Sequence, residues 1–191
     1  MRVILASASP RRADLLRAAG VPFEAVATDI DEAIRFGETP SAYVQRLASE
    51  KSAKAMDVAG ASDAVILGAD TAVVVDGDIL GKPRGDADAA AMLRRLSGRR
   101  HEVVTGISLR STAFEVVRVE TTAVFVAPLS EDEVAWYVAS GEGRDKAGAY
   151  AIQGLASRFI PRIEGSYTNV VGLPVEATMR MLAEFRRQNP A

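Results

Sequence analysis

The chain has 191 residues, of which 48% are hydrophobic and 25% charged, and its formal net charge is −2. This length suits one sizeable domain or two tightly joined lobes, and the small net charge argues against a broad nucleic-acid surface, which needs a basic footprint. Because the chain has no cysteine and one histidine, it excludes disulfides, thiolate nucleophiles, cysteine-based zinc sites and cages of several histidines.

The first third of the chain predicts two strand–helix pairs. A short buried strand over Arg2 to Ala6 precedes a helix that Ser9 caps and Pro10 opens. A second short strand, Phe23 to Ala27, precedes a long helix from Pro40 to about Met56. The apolar run at the N-terminus is too short for a signal peptide, and no stretch approaches a membrane span. We therefore expect a cytoplasmic protein without a membrane partner.

The middle of the chain is richer in strand patterns. Ala64 to Val75 is one apolar run interrupted by Asp70 and Thr71, and Asp76-Gly77 predicts a tight hairpin into Ile79-Leu80. The remaining predicted elements are a helix over Asp86 to Leu96, antiparallel strands over Val103 to Leu109 and Phe114 to Val126, a helix from a Ser130/Glu133 capping box to about Ala139, a short strand around Phe159 to Ile163, and a helix from Pro174 to about Arg187. This mixture of strands and helices predicts an α/β fold.

Two arginines follow directly on a predicted strand and turn, in the segment from Ser7 to Arg12. A helix N-terminus carries partial positive charge and favours acids, yet Arg11 and Arg12 occupy this first turn. An external phosphate would fit there, since Ser7 and Ser9 add hydroxyl donors and guanidinium groups bind phosphate through two hydrogen bonds. The alternative is that both arginines lie in solvent. Neither a GxxxxGK[ST] loop nor a GxGxxG motif occurs in the chain.

Asp70 lies inside a run that otherwise suits a buried strand. A carboxylate buried without a partner costs several kcal/mol or shifts its pKa. We therefore expect Asp70 at a strand end that faces a cleft, paired with a cation or a metal. The alternative is that the strand stops at Gly68 and Asp70 lies in a turn.

The remaining charged residues and the single histidine are less specific signals. Lys51 lies on the apolar face of the long predicted helix, so it either reaches out to water or points into a phosphate cleft. Lys82 follows the predicted hairpin and is by itself an ordinary solvated lysine. The acidic segment Asp29 to Glu32 is either a solvated turn or a site for a hard metal ion. His101 is expected to be structural, because no GxSxG motif accompanies it.

Seven segments resemble the Maf family of nucleotide pyrophosphatases and span nearly the whole chain in order. They are LASASPRR, YVQRLASEKS, LGADTAVVVDG, LGKPR, LSGRRHEVVTG, DKAGAYAIQG and GSYTNVVGLPV. The resemblance implies hydrolysis of a nucleoside triphosphate substrate to the monophosphate and pyrophosphate, with Mg²⁺ or Mn²⁺. It also implies a single domain over residues 1–191, a two-lobed α/β fold around a central cleft that is related to inosine-triphosphate pyrophosphatases, and a homodimer.

The resemblance also assigns roles to residues of this sequence. Asp70 matches the catalytic proton acceptor and, with Glu32, would hold the metal. The residues that match substrate-binding positions are Ser7, Ser9, Arg11, Arg12, Lys51, Thr71, Lys82 and Gln153.

Three of these positions, Arg11, Thr71 and Gln153, look like the family branch that hydrolyses dTTP and UTP. The branch that prefers 7-methyl-GTP carries tryptophan, glutamine and glutamate there. A glutamine amide offers both a donor and an acceptor to a pyrimidine edge, which suits the first branch. A 7-methyl-GTP or other non-standard nucleotide specificity and a non-catalytic nucleotide-binding regulator of cell division remain the alternatives.

Overall fold

A computed structural model describes residues 2–59 and 64–188 and has a mixed α/β fold, as the sequence predicts. The strands in this part of the chain are β1 (Arg2–Ala6), β2 (Glu24–Val26), β3 (Ala64–Val75), β4 (Asp78–Leu80), β5 (Arg100–Arg110), β6 (Glu115–Phe125) and β7 (Arg162–Glu164). The helices are α1 (Pro10–Ala18), α2 (Pro40–Ala59), α3 (Asp86–Leu96), α4 (Glu131–Ala139), α5 (Tyr167–Val171) and α6 (Val175–Gln188). Two short 3₁₀ turns cover Ala147–Ala149 and Leu155–Phe159.

The described strands pair in the order β2-β1-β3-β5-β6-β7, with β4 on β3. Strand β1 runs parallel to β2 and β3, whereas β4 pairs with β3, and β7 with β6, in the antiparallel direction. Strands β5 and β6 are neighbours, as predicted. The β3–β4 turn is the expected Asp76-Gly77 hairpin, and both of its residues have positive φ, 54° and 84°.

The chain forms two compact units. Unit 1 comprises residues 1–71, 105–120 and 172–191, and unit 2 comprises residues 72–104 and 121–171. Each unit has its own apolar core. The large fully buried side chains of unit 1 include Leu5, Leu16, Leu67, Ile107, Leu109, Leu173 and Phe185, and the core of unit 2 includes Val75, Leu93, Val124, Tyr137 and Phe159.

Within unit 1, helix α2 lies in direct backbone contact with two strands. A Cβ atom added to Gly68 on β3 would lie 2.1 Å from the Ala48 carbonyl oxygen, and one added to Gly106 on β5 would lie 2.2 Å from that of Val44. Only glycine permits such an approach. This close contact between helix α2 and the strands places Lys51, which lies on the same helix, over strand β3.

Several element boundaries differ from the sequence prediction. Strand β3 is unbroken from Ala64 to Val75, so the prediction that Asp70 lies at a strand end is wrong. Helix α2 extends three residues beyond Met56. The short strand expected around Phe159 begins later, at Arg162, because the preceding residues form a 3₁₀ turn.

Candidate active site

A buried lysine connects two carboxylates in unit 1. The Lys51 Nζ atom lies 2.6 Å from Asp70 Oδ1 and 2.7 Å from Glu32 Oε1. Asp70 is 8% exposed and Lys51 7%, so the lysine does not reach out to water. The ammonium group compensates the buried carboxylate, which explains why β3 can continue through Asp70. The predicted pairing of Asp70 with a cation is confirmed.

The loop that carries Glu32 is anchored on helix α2. The Tyr43 hydroxyl donates to the Glu32 carbonyl oxygen at 3.0 Å. Burial, and then the negative charges of Asp70 and Glu32, raise the pKa of Tyr43 to about 12, so this hydroxyl stays a donor. Further along the loop, Glu38 accepts two hydrogen bonds from Arg46, at 2.6 and 2.8 Å. This pair lowers the pKa of Glu38 to about 2.

Arg12 is a buried cation whose hydrogen-bond acceptors are all neutral. It donates from Nε to the Gly172 carbonyl oxygen at 2.8 Å, from Nη1 to Ser7 Oγ at 3.2 Å and from Nη2 to Thr71 Oγ1 at 3.0 Å. Within residues 2–59 and 64–188 it forms no ion pair, and two of its five N–H groups have no acceptor. Burial lowers the pKa of Arg12, and the nearby charge of Asp70 opposes that shift.

The first turn of helix α1 has the arrangement that the sequence predicts. Ser9 is the N-cap residue and Pro10 opens the helix, but no side chain caps it and no acid lies in its first turn. The Ser9 N–H donates to Ser7 Oγ at 3.2 Å. Arg11 is half-buried and close enough for its charge to lower the pKa of Arg12. The alternative, that both arginines lie in solvent, is wrong for Arg12, which is buried.

Thr71 follows Asp70 on β3, but its hydroxyl is fully engaged within the protein. It accepts from Arg12 Nη2, donates to the Gly172 carbonyl oxygen at 3.2 Å, and lies 2.9 Å from Thr105 Oγ1. A hydroxyl has one donor and two acceptor positions, and these three partners occupy all of them. Sequence reasoning missed Thr105 and Gly172. The available signal, a threonine inside the apolar run VVTGISL, is weak because threonine is common in strands.

Lys82 and Gln153 belong to unit 2. Lys82 is exposed in the loop after β4. Gln153 is exposed and lines a cavity of about 360 Å³, to which Ser157, Ile160, Arg162 and Tyr167 also contribute. The structure thus joins Ser7, Arg12 and Thr71 in one network and Glu32, Lys51 and Asp70 in another, both in unit 1.

The segment that carries Gln153 is held by a carboxylate. Glu142 accepts from the Tyr137 hydroxyl at 2.6 Å and from the Leu155 N–H at 2.8 Å. A Cβ atom at Gly154 would lie 2.0 Å from the same carboxylate, so a larger residue there would displace the Glu142 side chain. Glu142 therefore fixes the backbone on the C-terminal side of Gln153.

Glu32 and Asp70 could hold a divalent cation. Each carboxylate already places one oxygen within 2.7 Å of a single positive centre, the Lys51 ammonium. Within the described ranges, no cluster of three or more histidine, cysteine, aspartate or glutamate side chains could hold a metal. Two carboxylates suit Mg²⁺ or Mn²⁺ when substrate phosphates and water supply the other ligands. The donor set thus fits a metal that arrives with a phosphate ligand.

No helix in the described ranges is both long and apolar enough to cross a membrane.

Curated relatives of this chain are named dTTP/UTP pyrophosphatases. A dTTP/UTP pyrophosphatase of Symbiobacterium thermophilum is 50% identical over 184 residues, covering 96% of this chain and 94% of that protein. One from Chromobacterium violaceum is 46% identical over 192 residues, with 99% and 97% coverage.

Among solved structures, the Staphylococcus aureus Ham1 protein has a similar fold, with a TM-score of 0.50, 15% identity and coverage of 96% of this chain and 99% of that one. The family model described as Maf-like protein matches residues 2–185. This match spans nearly the whole chain, and the chain belongs to the Maf-like protein family.

Proposed function

We propose that the protein is a nucleoside triphosphate pyrophosphatase that converts dTTP and UTP to the monophosphate and pyrophosphate. One observation carries the proposal: Arg12 is buried with its charge unpaired and two N–H groups available, close to the Asp70 carboxylate. A buried cation without a counter-ion is costly, and a polyphosphate would remove that cost. The names of relatives at 46–50% identity support this substrate class.

Asp70 is the proposed general base. Its Oδ1 atom accepts from Lys51, whereas Oδ2 has no hydrogen-bond partner in the described part of the chain. Water would attack the α-phosphorus and lose a proton to Oδ2 as the bond to the bridging oxygen breaks. Pyrophosphate leaves with that oxygen, and no covalent intermediate is required.

Positive groups of unit 1 would bind the phosphates. Arg12 offers its two remaining N–H groups, and Arg11 and the uncapped N-terminus of helix α1 add further positive potential. Ser7 and Ser9 belong to the same turn, Lys51 adds a further cation of unit 1, and Lys82, which belongs to unit 2, completes the proposed set. Glu32 and Asp70 would hold Mg²⁺ or Mn²⁺, which when bound would neutralise phosphate charge.

Base recognition is assigned to Gln153, whereas Arg11 and Thr71, the other two positions of the branch pattern, are assigned to the phosphate-binding part of unit 1. Gln153 lines the cavity in unit 2 beside Tyr167, which is 47% exposed. The amide would hydrogen-bond to O4 and N3–H of a pyrimidine, and the tyrosine ring offers an apolar face for stacking.

A homodimer in the cytoplasm, without a nucleic-acid partner, completes the proposal. It rests on the family resemblance. Light scattering coupled to size-exclusion chromatography tests the dimer, and an elution mass of one chain would contradict it.

The deciding experiment is a panel of dTTP, UTP, CTP, GTP, 7-methyl-GTP and ITP with Mg²⁺ or Mn²⁺, in which pyrophosphate and orthophosphate are both measured. We expect pyrophosphate from dTTP and UTP, and Asp70→Asn should lower kcat about 1,000-fold, as loss of a general base does. Asp78→Asn, an exposed residue of β4, is the matched control. If the folded wild type releases no pyrophosphate from any nucleotide, the protein is a non-catalytic nucleotide binder. Preferential turnover of 7-methyl-GTP would overturn the pyrimidine assignment.

A further inference from the structure

Two threonines form a chain of hydroxyl groups behind Arg12. Thr105 on β5 is fully buried, and its Oγ1 atom lies 2.9 Å from Thr71 Oγ1 on β3. Thr71 in turn accepts from Arg12 Nη2 at 3.0 Å. Valine has the same shape as threonine without the hydroxyl, so packing alone does not require a hydroxyl at either position.

Either hydroxyl could donate in the contact between Thr71 and Thr105, but only one direction gives both hydroxyl protons an acceptor. In that arrangement the Thr71 proton points toward the Gly172 carbonyl oxygen, at 3.2 Å. Both Thr71 lone pairs then accept, one from Arg12 and the other from the Thr105 hydroxyl. Thr105 therefore donates, and it fixes the rotation of the Thr71 hydroxyl so that one lone pair faces the guanidinium.

The same carbonyl also binds Arg12 directly. The Gly172 carbonyl oxygen accepts from Arg12 Nε at 2.8 Å as well as from Thr71. Gly172 has φ of +132°, a conformation that favours glycine. Acceptors at Nε, Nη1 and Nη2 together fix the plane of the guanidinium and leave one N–H on each terminal nitrogen for a ligand.

We infer that Thr71 and Thr105 are positioning residues for Arg12, with Thr105 acting through Thr71. The inference rests on the proposed function insofar as Arg12 binds a phosphate group. Because Thr71 has no hydrogen-bonding position left, any influence of Thr71 on the nucleotide passes through the phosphate-binding arginine and not through a hydrogen bond to the base.

Inorganic pyrophosphate is the probe that separates these two roles, since it has no base and its binding requires no turnover. We expect Thr71→Val and Thr105→Val to weaken its binding, measured by titration calorimetry with Mg²⁺, by about 10-fold each, as loss of a hydrogen bond to a charged group does. The ratio of kcat/KM between dTTP, UTP and GTP should stay unchanged. Thr105→Ser and Thr71→Ser retain the hydroxyl and should restore binding.

A matched control is Thr178→Val, which removes another fully buried threonine hydroxyl of unit 1, one that donates to the Pro174 carbonyl oxygen. It should leave pyrophosphate affinity unchanged. In an Arg12→Ala background, Thr105→Val should have no further effect on pyrophosphate affinity, because the arginine through which it acts is gone.

Three results would overturn the inference. One is a changed nucleotide ratio with unchanged pyrophosphate affinity, which would assign Thr71 to the base. Another is an equal loss of affinity in Thr178→Val, which would make the effect structural. The third is additivity of Arg12→Ala and Thr105→Val. The proposed function is tested by a different measurement: it fails if the wild type releases no pyrophosphate from any nucleotide. The affinities for pyrophosphate would still test the roles of Thr71 and Thr105 in that case.

Discussion

Unit 1 and unit 2 both bury polar side chains, but unit 1 buries charges and unit 2 buries a neutral pair. In unit 2, His101 Nε2 lies 2.8 Å from the Tyr150 hydroxyl. Burial, and then the charge of Arg100, lower the pKa of His101 to about 4, and burial raises the pKa of Tyr150. Both side chains are therefore uncharged at neutral pH. In unit 1, by contrast, Arg12, Lys51 and Asp70 all lie among buried residues.

This contrast indicates which unit binds an anion. The His101–Tyr150 pair is neutral, and although His101 Nδ1 is buried without a hydrogen-bond partner among the described residues, the pair offers no charge to a ligand. We therefore expect it to contribute to stability. The Arg12 guanidinium has unused donors and no counter-ion among the described residues, so its arrangement is complete only with an anion. Removing a charge from unit 1 should thus reduce activity, and changing the pair in unit 2 should reduce stability.

Arg12→Met gives the largest expected effect. We expect kcat/KM for dTTP to fall about 1,000-fold, the scale of losing a donor to developing charge. The free energy of unfolding should stay within about 1 kcal/mol of wild type. The reason is that every acceptor of Arg12 keeps another donor: Ser7 accepts from the Ser9 N–H, Gly172 from Thr71, and Thr71 from Thr105. Steady-state kinetics and urea unfolding measure both quantities. A large loss of stability would show that Arg12 is a structural residue.

Acidification should lower the free energy of unfolding, because it protonates His101 in the unfolded state. Because its folded-state pKa is about 4 and its ordinary value is 6.5, the unfolded state binds the proton more tightly. Stability is complete above pH 6.5 and falls as the pH drops toward 4, by about 3 kcal/mol in total. Urea unfolding at pH 7 and pH 5 should show the slope in wild type and a reduced slope in His101→Gln. Equal slopes would mean that His101 titrates normally, and the contrast between the units would then be lost.

Glu32→Gln should have a moderate effect on the metal. It removes one of the two carboxylates that approach Lys51, so we expect about 10-fold more Mg²⁺ to be needed for half-maximal activity. Unfolding at pH 7 should be unchanged, since the Glu32 side chain is exposed. A metal titration of dTTP hydrolysis measures the shift. Glu131→Gln, which pairs with Arg94 on the surface of unit 2, is the control and should leave the metal requirement as in wild type.

Tyr150→Phe gives the smallest expected effect. It removes the hydroxyl that contacts His101 and should lower the free energy of unfolding by about 1 kcal/mol, the net value of one hydrogen bond. Turnover of dTTP should not change, because neither side chain of the pair belongs to the proposed catalytic set. A substantial fall in kcat with unchanged unfolding would assign the pair to the reaction.

Local patterns in the sequence predicted most elements and the residues of the first turn of α1. They could not predict the partner of Asp70, because Lys51 reaches it only where Gly68 and Gly106 let helix α2 contact the strands. They predicted a strand end at Asp70 because a carboxylate inside an apolar run can be recognised from the sequence alone. The lysine that pairs with it, 19 positions earlier in the chain, cannot. Two of the three acceptors of Arg12 were equally hidden, since Thr71 and Gly172 lie 59 and 160 positions away along the chain.

The long separation of those acceptors affects the order of folding during synthesis. Thr71, Thr105 and Gly172 each stand where the chain passes from one unit to the other. Unit 2 ends at residue 171, so a ribosome has produced all of unit 2 before it adds Gly172. Unit 1 needs residues 172–191 and is therefore complete only at the end of translation. All of unit 2 is thus synthesised before the last acceptor of Arg12, the Gly172 carbonyl oxygen, is added.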